Sequence, residues 1–187
     1  MALATTLGLL GCTAGGTTPE PDRSATEAVV TTDPTTTPSP TRSAPPERPT
    51  AMDDVSVEGA IAAATYFISL YPYVYNTGDL TEWNALSHPE CEFCSSVNEN
   101  VQKLQQEGHH LSGGGVQIVR STGAEIDIGK WFRAELLVEQ APGVNVDAND
   151  NPVSEQIAGT SYKLTYTIIR EEHQWLIREV EPERTDG

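Results

Sequence analysis

Apolar residues recur at three- and four-residue steps from Val57 to Tyr75: Val57, Ala60, Ile61, Ala64, Phe67, Ile68, Tyr71, Val74 and Tyr75. That period predicts an amphipathic helix of about five turns. Pro72 falls inside it, lacks an N–H and crowds the carbonyl of Ile68, so a kink is expected there. Gly78 is placed to end the helix. Asp79 and Glu82 form a capping-box-like pair for a short second helix, whose apolar face is Leu80, Trp83 and Leu86. Pro89 breaks the chain again. Phe93, Val97, Val101 and Leu104 then form the stripe of a third helix, which Gly108 ends.

Beyond Gly113-Gly114-Gly115 the period falls to two. Val116, Ile118, Ile126 and Ile128 belong to one or two strands. Phe132, Ala134, Leu136 and Val138 alternate with Arg133, Glu135 and Glu139 as a half-buried strand. Tyr162, Leu164, Tyr166 and Ile168 alternate in the same way. Glu171-Glu172-His173 reads as a turn, and the segment from Trp175 to Val180 as its hairpin partner. Helices followed by strands signal an α+β fold: three N-terminal helices packed on a curved antiparallel sheet of four to five strands.

Composition separates this domain, residues 54–187, from what precedes it. Of the 37 residues from Thr17 to Asp53, 21 are Thr, Pro or Ser. Such a stretch buries too little apolar surface to offset its ordering entropy, so residues 13–53 are expected to be a disordered linker. In extended polyproline form it would reach on the order of 100 Å. Thr/Pro-rich stalks are also candidates for O-glycosylation. The domain itself carries 21 acidic and 8 basic residues. That balance argues against nucleic acid and against docking of the domain on anionic lipid.

The first twelve residues end in Leu9-Leu10-Gly11-Cys12. This resembles the lipobox of bacterial lipoproteins, in which the cysteine is lipidated after cleavage. The resemblance makes residues 1–12 a signal, Cys12 the lipidated N-terminus, and the location the extracytoplasmic face of the cell membrane. No Lys or Arg precedes Arg23. A secretory signal needs a basic n-region, so the true start is expected upstream.

The order of elements over about 57–182 resembles the cone-shaped nuclear transport factor 2-like (cystatin-like) architecture. The segments Tyr75-Asn76-Thr77-Gly78-Asp79, Leu86-Ser87-His88-Pro89-Glu90-Cys91-Glu92-Phe93-Cys94 and Gly113-Gly114 are similar to an uncharacterised family of actinobacterial lipoproteins. That likeness implies an address and a fold.

Chemistry is sparse. With Cys12 assigned to lipid, Cys91 and Cys94 remain as a pair in an oxidising compartment, where a disulfide is the default. A thiol redox centre is the alternative, because a Cys-x-x-Cys at a helix N-terminus lowers the first thiol's pKa. A metal would need two further ligands, and only His88 is near in sequence. His109-His110 read as polar residues at a helix end. The loop Asp147-Ala148-Asn149-Asp150-Asn151 starts like a calcium loop, but Pro152 and Ala158 stand where Gly and Glu are needed, so an Asx turn is expected. The cone commonly holds a pocket, here with Tyr66, Tyr71, Trp131, Tyr162, Tyr166 and Trp175 as candidate lining. Glu125 and Asp127 share a strand face but suggest no acid–base pair, and neither a nucleophile elbow nor a phosphate-binding glycine fingerprint occurs. No catalytic, cofactor or metal residues are assigned. The expected role is non-catalytic binding of an envelope protein, a glycan or a small apolar molecule. The alternatives are an isomerase- or dehydratase-like pocket enzyme and a thiol–disulfide protein.

Overall fold

In the computed structural model, residues 44–185 are described, and the predicted helices and strands follow one another in order. The signal, Cys12 and the linker up to residue 43 lie outside the described residues. Helix α1, Val57–Thr77, starts where Ser56 Oγ accepts the Gly59 N–H at 3.1 Å. It continues through Pro72 and ends at Gly78, whose φ of 75° is left-handed and whose N–H reaches the Val74 carbonyl. Helix α2 is Thr81–Leu86 and helix α3 is Glu92–Gln106. Asp79 serves α2, but not as half of a capping box. Its carboxylate accepts from both the N–H and the hydroxyl of Thr81, at 3.0 and 2.6 Å. Those bonds hold it below the usual carboxylate range, with the Tyr73 hydroxyl adding to the effect. Glu82 instead receives the Tyr66 hydroxyl, at 3.4 Å.

Six strands follow: β1 His110–Gly113, β2 Val116–Asp127, β3 Trp131–Gln140, β4 Gly143–Val146, β5 Thr160–Glu171 and β6 Gln174–Arg184. The sheet of four runs β2-β3-β5-β6, antiparallel throughout, while β1 and β4 pair as a separate two-stranded sheet. Strands β1 and β4 are not expected from the sequence pattern, because no alternation can register over four residues. His110, expected beyond a helix end, opens β1. The segment holding Val116, Ile118 and Ile126 is one strand, and Ile128 lies beyond it in the turn, 91% exposed.

The alternating residues of β3 (Phe132, Ala134, Leu136, Val138) are all buried, as are Leu164, Tyr166 and Ile168 of β5 and Ile177 and Val180 of β6. They pack in one core with Ala60, Ala64, Phe67 and Ile68 of α1. Each large apolar side chain so buried contributes about 1.5–3 kcal/mol. Trp83 of α2 stacks on Phe67 with centroids 3.9 Å apart, and its Nε1–H donates to the Cys94 carbonyl at 3.2 Å. This one indole therefore joins all three helices.

The expected linker boundary at residue 53 moves towards the N-terminus. Thr50–Asp53 forms a single 3₁₀ turn, Met52 is buried, and Trp175 Nε1–H donates to its carbonyl at 2.7 Å. Gly59 makes this possible, since a Cβ there would lie 2.1 Å from the Asp54 carbonyl oxygen and 3.0 Å from the Trp175 ring. One apolar side chain and one buried acceptor are enough to fix the turn, and composition averaged over the linker hides both. Before the turn, Ala44 and Pro46 line a surface groove with Ser69, Pro72, Tyr73, Asn76 and Gly113, beside the second half of α1.

Candidate functional site

The two ends of the four-stranded sheet differ. At one end the β3–β5–β6 register aligns Trp131 with Ile169 and Ile169 with Leu176. Here Trp175 meets Phe132 edge to face at 5.1 Å, the Arg170 guanidinium lies over its ring at 4.8 Å, and the 3₁₀ turn packs against it through the Met52 carbonyl. At the other end Gln140 aligns with Thr160, and Tyr162 with Arg184. The second half of α1 and the start of α3 do not fill that end.

Two adjoining cavities result. The inner one, of about 160 Å³, is bounded by Ile68, Tyr71, Phe93, Val116, Val138, Gln140, Tyr162, Leu164 and Pro182. The outer one, of about 420 Å³, is bounded by Tyr71, Tyr75, Asn100, Lys103, Leu104, Glu107, Leu111, Gly114, Gln140, Ala141, Gly143, Asn145, Ile157 and Tyr162. Tyr71, Gln140 and Tyr162 belong to both walls and stand at the junction. An apolar cavity next to one with a few hydrogen-bonding groups is a usual form of small-molecule site.

The junction carries an aromatic pair. Tyr71 and Tyr75 lie one helical turn apart on α1, with ring centroids 4.8 Å apart. Burial pushes the Tyr71 phenol well above its ordinary pKa, and its hydrogen bond to Tyr75 holds the proton further. Burial also raises Tyr75, and donors from Tyr71 and Asn100 partly offset that effect. Both phenols are therefore neutral at physiological pH and act as hydrogen-bonding groups.

Of the six aromatic residues expected to line a pocket, Tyr71 and Tyr162 do so. The other four do not. Tyr66 is buried against α2 and bonds to Glu82. Trp131 begins β3 at the sealed end. Trp175 is a core residue whose indole N–H is spent on Met52. Tyr166 is wholly buried in the core, and its hydroxyl has no partner among the described residues. Strand alternation placed these side chains on the inward face correctly, but an inward face is core along most of its length and cavity only at one end. The polar lining residues not expected from sequence include Tyr75, Asn100, Lys103, Glu107 and Gln140. Asn100, Lys103 and Glu107 follow at helical spacing on α3, a pattern that any solvated face also shows.

The remaining candidates have structural tasks. Cys91 and Cys94 are joined, with sulfurs 2.01 Å apart, and both are buried. Cys91 Sγ also accepts the Cys94 N–H at 3.2 Å, so the bridge caps α3. A redox thiol has to be reached by its partner, and burial opposes that. Phe93, between the two cysteines, supplies a wall of the inner chamber. Asp147 Oδ1 accepts from the N–H groups of Asn149 and Asn151, at 2.8 and 3.0 Å, which is the expected Asx turn. Glu125 Oε1 accepts the Gly129 N–H in the β2–β3 turn. His110 faces Asp150 at 3.3 Å. Among the described residues no three His, Cys, Asp or Glu side chains gather closely enough to hold a metal, and no helix is long and apolar enough to cross a membrane.

Residues 31–181 match a family described as "Family of unknown function (DUF6318)". No curated protein matches the chain. Among solved structures, the intermembrane space region of the chloroplast protein ARC6 is similar with a TM-score of 0.55 at 9% identity, covering 70% of this chain and 98% of that one. An uncharacterised protein with a cystatin-like fold from Caulobacter vibrioides has a TM-score of 0.46 at 12% identity, covering 69% and 92%. At such identities the likeness concerns the fold.

Proposed function

The chain belongs to this family of unknown function (DUF6318), and we propose for it the role of an extracytoplasmic binding domain that holds a small apolar molecule in the two-chamber cavity and is tethered to the membrane through lipidated Cys12. The observation that carries the reading is the contrast between two adjoining cavities that share Tyr71, Gln140 and Tyr162, one apolar in its walls and the other mixed with hydrogen-bonding and charged groups. Every side chain around the inner chamber is aliphatic, aromatic, a proline or an amide. These groups pack and hydrogen-bond, and they support holding a ligand better than the proton transfers of an isomerase or dehydratase. The Cys91–Cys94 bridge is in keeping with an oxidising compartment. The lipobox-like Leu9-Leu10-Gly11-Cys12 and the Thr/Pro-rich stretch after it supply an anchor and a spacer.

Titration with toluene tests the cavity. Wild-type protein should gain thermal stability with rising toluene concentration, as linkage requires. Val116→Phe, which fills the chamber from its half-buried wall, should abolish the gain while leaving the circular dichroism unchanged. An equal gain in both proteins would overturn the reading. For the address, cells expressing the gene from an upstream start are labelled with a fatty-acid precursor. The protein should take up label, and Cys12→Ala should release it unlabelled. Absence of label from the wild type removes the anchor and leaves the cavity reading intact.

A further inference from the structure

Resting on that binding role, we infer that the occupant is a monoanionic amphiphile: a small aryl or alkyl carboxylate with its apolar body in the inner chamber and its carboxylate in the outer one. Size sets the body. The inner chamber holds about 160 Å³, close to the ~150 Å³ of an engineered apolar cavity that takes one benzene. A single six-membered ring, or an alkyl chain of similar bulk, fills it.

Hydrogen-bond arithmetic sets the head. A phenol oxygen can accept two bonds and donate one. Tyr75 lines the outer chamber one helical turn from Tyr71, and its O–H can donate into that space. Lys103, on the same wall, makes no ion pair among the described residues, although Glu99 and Glu107 stand four positions away on either side. Its ammonium group is a donor only. This wall therefore offers a phenol O–H and an unpaired cation, and a carboxylate answers both because it only accepts. Charge-assisted bonds of this kind are roughly twice as strong as neutral ones.

Glu107 limits the charge. It lines the same outer chamber and lies 3.5 Å from His109. With a single ammonium on this wall and a carboxylate lining the same chamber, a second negative charge on the ligand is disfavoured. The acidic balance of the domain repels anions at a distance, so selection for the head acts at contact range.

Calorimetric titration of the full chain with phenylacetate, phenylacetamide and phenyl phosphate separates the possibilities. Phenylacetate should bind at least about tenfold more tightly than phenylacetamide, the equivalent of one charge-assisted bond. Lys103→Gln, at an exposed helix position, should erase most of that difference, lowering phenylacetate affinity far more than phenylacetamide affinity. Equal affinities in the wild type, a preference that survives Lys103→Gln, or tightest binding of phenyl phosphate would each overturn the carboxylate head. Binding of toluene or phenylacetamide in any of those cases leaves the cavity reading standing. Failure of all the phenyl compounds together with toluene removes both.

Discussion

Tyr166 shows how much one buried atom can matter. Its ring is needed in the core, but its hydroxyl has no partner there, and burial drives its pKa far upward. A desolvated hydroxyl without a partner costs about 1–3 kcal/mol. Tyr166→Phe removes that cost and keeps the ring. We expect it to stabilise the fold by about 1 kcal/mol, seen as a higher midpoint in urea with an unchanged slope. A lower midpoint would mean that the hydroxyl has a partner in solution. The turn between β5 and β6 offers a second gain. Glu172 and His173 both have positive φ, at 46° and 68°. Two-residue hairpins with that geometry favour Asn-Gly, and left-handed backbone costs other residues roughly 1–2 kcal/mol each. The double substitution Glu172→Asn, His173→Gly should therefore raise stability by about 1 kcal/mol or more. Thermal unfolding of the double variant beside wild type checks this.

Elements show where the sequence was legible and where it was not. The helices α1 and α3 and the strands β3, β5 and β6 are long enough for a period to repeat, so their faces could be read directly. Phe132, Ala134, Leu136 and Val138 were assigned inward from alternation alone, and all four are buried. The cavity was less legible because its walls come from elements far apart in sequence. Gln140 ends β3, Pro182 lies near the end of β6, and Phe93 belongs to α3. No local pattern links them; the sheet register does. The disulfide lies between these cases, since the pair was legible but its position behind a cavity wall was not. Replacing both cysteines by alanine should cost about 1–3 kcal/mol, at the low end for so short a loop. Because Phe93 sits inside that loop, toluene affinity should fall as well. A stability loss with affinity intact would show that α3 holds Phe93 without the bridge.

At the scale of the whole molecule, the folded unit starts before the boundary that composition suggests. Met52 closes the end opposite the cavity, and a buried Met replaced by Ala typically costs 2–5 kcal/mol. Met52→Ala should fall in that range by denaturant titration, and toluene binding should persist because the substitution lies at the far end of the sheet. Loss of binding at full folding would instead couple the two ends. The division of labour is spatial: one end is sealed by Trp175, Phe132, Arg170 and the 3₁₀ turn, and the other is left open between the helices and the sheet. An α+β fold of this kind needs no catalytic constellation to do that.

The run of chain before α1 also has a mechanical meaning. From the groove beside Ser69, Pro72, Tyr73 and Asn76, the polypeptide travels back to Met52 and then reverses into α1. A pull applied at Ala44 does not load the sheet first. Tension along residues 44–56 would meet the Trp175–Met52 hydrogen bond and the Ser56 cap of α1 before it reached the rest of α1. Thirteen residues stretched out give on the order of 40 Å of slack. An extension of that length could be drawn out before the walls of the cavity are deformed.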